Sequence, residues 1–253
     1  MVLASKLGGG SNALNANNEI LAIIADKAGN IYATGIFSNT NGKSYVAKWD
    51  GSSWNELGGS SNALNPDYGI SAIAADGQGN IYAAGNFTNA AGKYYVAKWN
   101  GSNWSELSGS NDLNANNSIF SLAVDAANNI YAAGWFTNLS GNKYIAIFND
   151  TDWNEVGGNN TLRSKCNGIN NLIYDATGNM YFVESFITPT EGAYVEKWDG
   201  SSWTELGTGY NPMNATSFLS INSIASDPSG NIYAAGGFTD ANGKYYVAKY
   251  SAK

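Results

Sequence analysis

Gly79-Asn80-Ile81-Tyr82 returns along the chain as Gly29-Asn30-Ile31-Tyr32, Asn128-Asn129-Ile130-Tyr131, Gly178-Asn179-Met180-Tyr181 and Gly230-Asn231-Ile232-Tyr233, with its tyrosines 50, 49, 50 and 52 residues apart. A near-constant period of this length marks five tandem copies of one supersecondary unit. Gly-Asn ahead of Ile-Tyr reads as a turn feeding a strand, because glycine and asparagine tolerate positive φ and the next two residues favour extended backbone. Around it, one copy carries four short strand signals, A to D: Ile70 to Ala75, Ile81 to Phe87, Tyr94 to Trp99 and Trp104 to Leu107. No helical period separates them. Four antiparallel strands per repeat make a propeller blade, so the expected fold is an all-β, five-bladed β-propeller over residues 1–253 as one domain.

Outward from that core phrase, strand A is built of small and branched residues, as in Ile20-Leu21-Ala22-Ile23-Ile24-Ala25, which suits crowding around a narrow central channel. Aromatics five residues apart flank the C to D hairpin: Trp49 and Trp54, Trp99 and Trp104, Phe148 and Trp153, Trp198 and Trp203. They supply large surfaces where neighbouring blades pack. Residues 2–9 align with Ser52 to Gly59, a D strand, while the chain ends after a C strand. The N-terminal strand is therefore expected to complete the last blade and close the ring, leaving no free sheet edge there.

With 43% hydrophobic and 13% aromatic residues among 253, the chain can bury a substantial core. Its formal charge of -7, with only 13 Lys and Arg, offers no basic field for nucleic acid or anionic lipid. No apolar run approaches the roughly 20 residues that span a bilayer, so no membrane insertion is expected. The start, Met1-Val2-Leu3-Ala4-Ser5-Lys6, lacks a long apolar leader. The chain reads as cytoplasmic, or as extracellular or cell-surface if it belongs to a larger secreted protein.

Histidine is absent, which removes the commonest general base and metal ligand. Cys166 is alone and reads as a small buried apolar residue. A hydrolase would need a carboxylate pair, but Asp26, Asp76, Asp125, Asp175 and Asp227 recur in every copy at the A to B turn and read as turn formers. No dense aspartate loop of the calcium-binding kind appears. The expectation is a protein that is not an enzyme and that uses no metal or cofactor. Asn-x-Ser/Thr phrases arise by chance in so asparagine-rich a repeat and are assigned no glycosylation.

In a propeller the B to C and D to A connections emerge on one face, and here those are the long ones, where binding residues usually reside. The D to A loop repeats Asn-Ala-Leu-Asn at Asn12 to Asn15 and Asn62 to Asn65, with a variant ending at Asn114 and weaker echoes at Thr161-Leu162 and Met213-Asn214. The B to C loop repeats Phe-Thr-Asn-x-x-Gly-Lys, placing Asn39 and Lys43, Asn89 and Lys93, Asn138 and Lys143, and Lys244. From Phe to Lys the count is six in three copies and seven in the third, where Asn142 reads as inserted; the fourth copy, Phe186 to Ala193, has no Lys. Amides, a Lys and nearby tyrosines such as Tyr94 and Tyr95 hydrogen-bond sugar hydroxyls and stack on sugar rings. The same residues also serve as turn caps and blade packing. Trp135, at a position that varies as Ile36, Asn86, Ser185 and Gly237, is either a stacking platform or core.

The order Ile-Tyr-x-x-Gly, Tyr-Val-x-Lys-Trp, Trp-x-Glu-Leu is similar to the kelch repeat, although the kelch double glycine survives only at Gly236-Gly237. Five Gly-, Asn- and Trp-rich blades closed by an N-terminal strand more closely resemble the tachylectin type of β-propeller lectin. That resemblance implies small N-acetylated sugars in shallow sites between adjacent blades, among Asn62, Asn65, Asn89 and Lys93 and their copies, with blade four degenerate. Two functions stay open. One is a multivalent lectin with several weak equivalent sites and glycan partners. The other is a protein-binding or adhesive module in which the repeated loops are only structural.

Overall fold

The computed structural model describes residues 7–64, 66–158, 162, 166–175, 177–186, 195–206 and 221–251, with backbone alone at 60, 166, 167 and 184–186. The fold is all-β, a five-bladed propeller with four antiparallel strands per blade and three described in the last. The strands are β1 (Ile20–Ala25), β2 (Ile31–Gly35), β3 (Ala47–Trp49) and β4 (Trp54–Glu56), then β5 (Ile70–Ala75), β6 (Ile81–Gly85), β7 (Ala97–Trp99) and β8 (Trp104–Glu106). They continue as β9 (Ile119–Val124), β10 (Ile130–Gly134), β11 (Ala146–Phe148) and β12 (Trp153–Glu155), and as β13 (Cys166–Tyr174), β14 (Met180–Phe186), β15 (Val195–Trp198) and β16 (Trp203–Glu205). The last sheet is β17 (Ile221–Ser226), β18 (Ile232–Gly236) and β19 (Ala248–Tyr250). Of the expected closing strand, residues 2–9, residues 2–6 lie outside the described residues, as does the side chain of Cys166. The chain forms two compact units, residues 1–107 with two blades and 108–253 with three.

Each A to B turn is held by one aspartate. Asp76 Oδ1 accepts the backbone N–H groups of Gln78 and Asn80 at 2.8 and 2.9 Å, and Oδ2 accepts the Asn80 amide at 2.6 Å and the Tyr82 hydroxyl at 2.9 Å. The same arrangement surrounds Asp26, Asp125, Asp175 and Asp227. This explains why Gly-Asn-Ile-Tyr recurs: the asparagine and tyrosine are both donors to the turn carboxylate. Lys98 then lies 5.7 Å from the Tyr82 ring centroid, within cation–π range.

The aromatic pairs sit directly opposite each other across the C to D hairpins, Trp99 against Trp104 with ring centroids 5.7 Å apart. Trp104 also donates its indole N–H to the Leu57 carbonyl at 3.4 Å, fastening the second blade to the end of the first. Between these two blades Tyr32 and Val46 pack with Ile70 and Ile73, and the three blades of the second unit repeat this packing with their own residues. β1 departs from its copies, with Ile20 and Ile23 52% and 63% exposed where Ile70 and Ile73 are buried.

Strands B and C are shorter than their sequence pattern. β6 stops at Gly85, because the Asn86 N–H turns to the Gly69 carbonyl and Phe87 swings into the core, and pairing resumes only as the isolated bridge Thr88 with Tyr94.

Candidate functional site

The B to C loops are built around their asparagine. Asn89 Oδ1 accepts the backbone N–H groups of Ala91 and Lys93 at 3.0 and 3.1 Å, and the Asn89 amide donates to the Glu106 carboxylate at 3.0 and 3.2 Å. Asn39 with Glu56 and Asn138 with Glu155 repeat the tie, always 17 residues apart. In the fifth blade Asp240 caps the turn through the Asn242 and Lys244 N–H groups at 2.9 Å. The D to A loop then meets the B to C loop. The Asn116 amide donates to Thr137 Oγ1 at 2.9 Å, and the Thr137 N–H returns to Asn116 Oδ1 at 2.9 Å. Asn17 and Ser38 form the equivalent pair, and Lys43 makes an ion pair with Asp67. The two long loops therefore share a face.

In the third blade these loops enclose a cleft of about 430 Å³. One wall is the D to A segment Asn111, Asp112, Leu113 and Asn114, and the other is Thr137, Asn138 and Leu139 of the B to C loop. Trp153, Asn154 and Glu155 of β12 form the floor with Tyr144 and Ala146. Asn111 fixes the first wall by donating to the Trp153 carbonyl at 2.7 Å. Asn114 stands at φ 43°, a conformation that asparagine accepts more readily than most residues, and its side chain is exposed. Leu139 is fully exposed. The Tyr144 hydroxyl is pushed up to about 12 by burial and by the Glu155 carboxylate, so it remains a neutral donor at any ordinary pH. The cleft thus combines amides, a hydroxyl, two carboxylates and apolar side chains, the mixture that suits a small polyhydroxylated ligand.

The sequence-predicted residues distribute as follows. Asn114 and Asn138 line this cleft, and Asn15 lines a second of about 720 Å³ in the first blade, with Leu7, Leu14 and Trp54. Asn39, Asn89 and Asn138 are engaged in their turns and glutamates. Asn12 is exposed in a 3-10 turn, and the Asn62 amide donates to the Ser102 carbonyl at 3.1 Å. Lys43 is paired with Asp67, and Lys93 and Lys244 are exposed. Lys143 donates to the Trp135 carbonyl.

Asn142 is a replacement at the Lys93 position, not an insertion. The Asn138 N–H bonds to the Asn142 carbonyl as Asn89 does to Lys93, and Lys143 takes the bridge position of Tyr94. Trp135 is 46% exposed, stacks edge-on with Phe120 at 5.1 Å, and rests so closely on Gly168 that a Cβ there would fall 2.1 Å from its ring. Asn65, Asn214, Thr161 and the B to C loop of blade four lie outside the described residues.

Asp112, Leu139, Tyr144, Asn154 and Glu155 were not singled out by sequence as ligand groups. The recurring Asn-to-Glu interval of 17 was the available signal, since it places a D strand directly beneath each B to C loop.

No protein-family model and no curated protein matches the sequence. Solved structures do. The β-propeller domain of the Trilobed protease from Pyrococcus furiosus is similar over 92% of this chain and 65% of that one, at 10% identity and a TM-score of 0.58. A mutant of Aleuria aurantia lectin in complex with alpha-methyl-L-fucoside is similar over 90% of this chain and 72% of its own, at 13% identity and a TM-score of 0.53. A gluconolactonase-like protein matches at 11% identity over 85% of this chain and 70% of that one, with a TM-score of 0.51. At these identities the likeness establishes the propeller fold, which lectins and other proteins share.

Proposed function

We propose that this protein is a carbohydrate-binding protein, a lectin that binds without catalysis through sites formed by its D to A and B to C loops. The observation that carries the reading is the third-blade cleft, where both repeated loops converge on one cavity lined by Asn114, Tyr144 and Leu139. Amide and hydroxyl groups match sugar hydroxyls, and an exposed leucine matches the apolar face of a sugar ring. The Aleuria aurantia lectin, a propeller of similar fold, holds a fucoside. A chain without histidine offers few groups for general-base chemistry. Repetition of the loops provides several weak positions whose joint engagement of a glycan-coated surface raises avidity.

Labelled protein on a broad glycan array, N-acetylated and fucosylated sugars included, followed by calorimetric titration of the best ligand, tests the reading. Asn114→Gly removes the amide without straining the positive φ and is expected to weaken binding about tenfold. A blank array with folded protein would sink the lectin reading. It would favour a protein-binding module, for which the exposed Trp135 and Leu139 are the supporting observation.

A further inference from the structure

The third-blade cleft is electrostatically one-sided. Among the described residues that line it, the carboxylates are Asp112 on one wall and Glu155 on the floor, and there is no lysine or arginine. Asp112 accepts the Gly109 N–H at 3.2 Å and Glu155 accepts the Asn138 amide, so each is held by a neutral donor. Neither has an ion-pair partner among the described residues. Lys143, the chain neighbour of Tyr144, directs its ammonium to the Trp135 carbonyl. The net charge of -7 adds a field of the same sign.

We infer that this cleft ranks sugars by charge, taking amino sugars with a free ammonium group ahead of neutral sugars and rejecting uronic and other acidic sugars. The inference rests on the lectin reading and adds its selectivity. Two carboxylates several ångströms from a bound ammonium act through water-exposed dielectric. Their summed attraction corresponds to about five- to tenfold in affinity at low ionic strength. An acidic sugar loses by a similar factor. Because the cleft is open to solvent, salt at about 0.5 M or above shortens the screening length to a few ångströms and should bring the ratio down to about twofold.

The experiment compares three oligosaccharides of equal length on the full chain: a glucosamine trimer, its N-acetylated counterpart, and a galacturonic acid trimer. Titrations are run at a pH where the amine is protonated and the carboxylates are ionised. Expected is the order glucosamine, N-acetylglucosamine, galacturonic acid, with the first ratio about fivefold or more and compressed by salt. Asp112→Asn should halve that ratio or better, whereas Asp150→Asn, which removes an equal charge from the exposed C to D turn of the same blade, should leave it in place. Equal loss in both variants would mean bulk attraction to an acidic protein and overturns the inference. Equal binding of all three trimers, or preference for the acidic one, overturns it while leaving the lectin reading standing. Failure of all three to bind, together with a blank glycan array, removes both.

Discussion

Asp175 receives five hydrogen bonds, from the Thr177 N–H and hydroxyl, the Asn179 N–H and amide, and the Tyr181 hydroxyl, at 2.8 to 3.0 Å. Burial pushes its carboxyl upward, but these donors outweigh it and hold the group at about 2. Asp227 is held at about 2 as well, chiefly by the Asn231 amide. An aspartate in the unfolded chain titrates near 3.9, above both folded values, so the stability these turns contribute is complete above about pH 5. It drains away as the pH falls from about 4 towards 2. The melting temperature is therefore expected to drop steeply across that interval. Asp175→Asn should flatten the drop and lower the neutral-pH value by about 3 to 6 °C, checked by calorimetry. Sequence showed that Asp and Tyr recur together; it did not show why, because a pattern of residue types does not say which side chains face one another across a turn.

Among the elements, the A strands and the C to D hairpins were legible because short runs of small and branched residues and aromatics five apart are local signals. Strands B and C read too long, since Phe87 and Tyr94 continue the apolar pattern while the backbone has already turned away to bond elsewhere. The asparagines of the B to C loops were equally deceptive. An exposed polar loop reads as a place for ligands, and only the register of strand D shows that Glu56, Glu106 and Glu155 lie underneath. Cleft residues such as Leu139 belong to no repeated motif, so repetition could not mark them. One hairpin exit tests how tightly the elements join. Gly58 has φ 94°, and a Cβ there would lie 2.2 Å from the Asn62 carbonyl oxygen and 3.1 Å from the Trp99 ring. Gly58→Ala is expected to cost about 2 to 4 kcal/mol in chemical denaturation, while Gly9→Ala, with nothing within 4 Å, should stay within about 0.5 kcal/mol.

For the molecule as a whole, the architecture was readable because one motif repeats five times, so each copy corroborates the others. Residues 1–253 as one domain, completed by the N-terminal strand, is our proposal, and the alignment supports it. Lys6 aligns with Glu56 and Asp240 with Asn39, so where three copies carry an amide and a carboxylate these two positions carry opposite charges. Deleting residues 1–9 is expected to lower the melting temperature by about 10 °C or more; an unchanged value would refute the assignment.

The fastenings described within a blade and from one blade to the next reach only a short way along the chain: 6 residues from Asp76 to Tyr82, 17 from Asn89 to Glu106 and 47 from Leu57 to Trp104. Loop closure grows costlier with length, so partners this close can find each other before the rest of the protein exists. A polypeptide emerging from the ribosome meets each of these contacts within one repeat of its synthesis, and vectorial assembly, blade after blade from the N terminus, is the path that closes the shortest loops first.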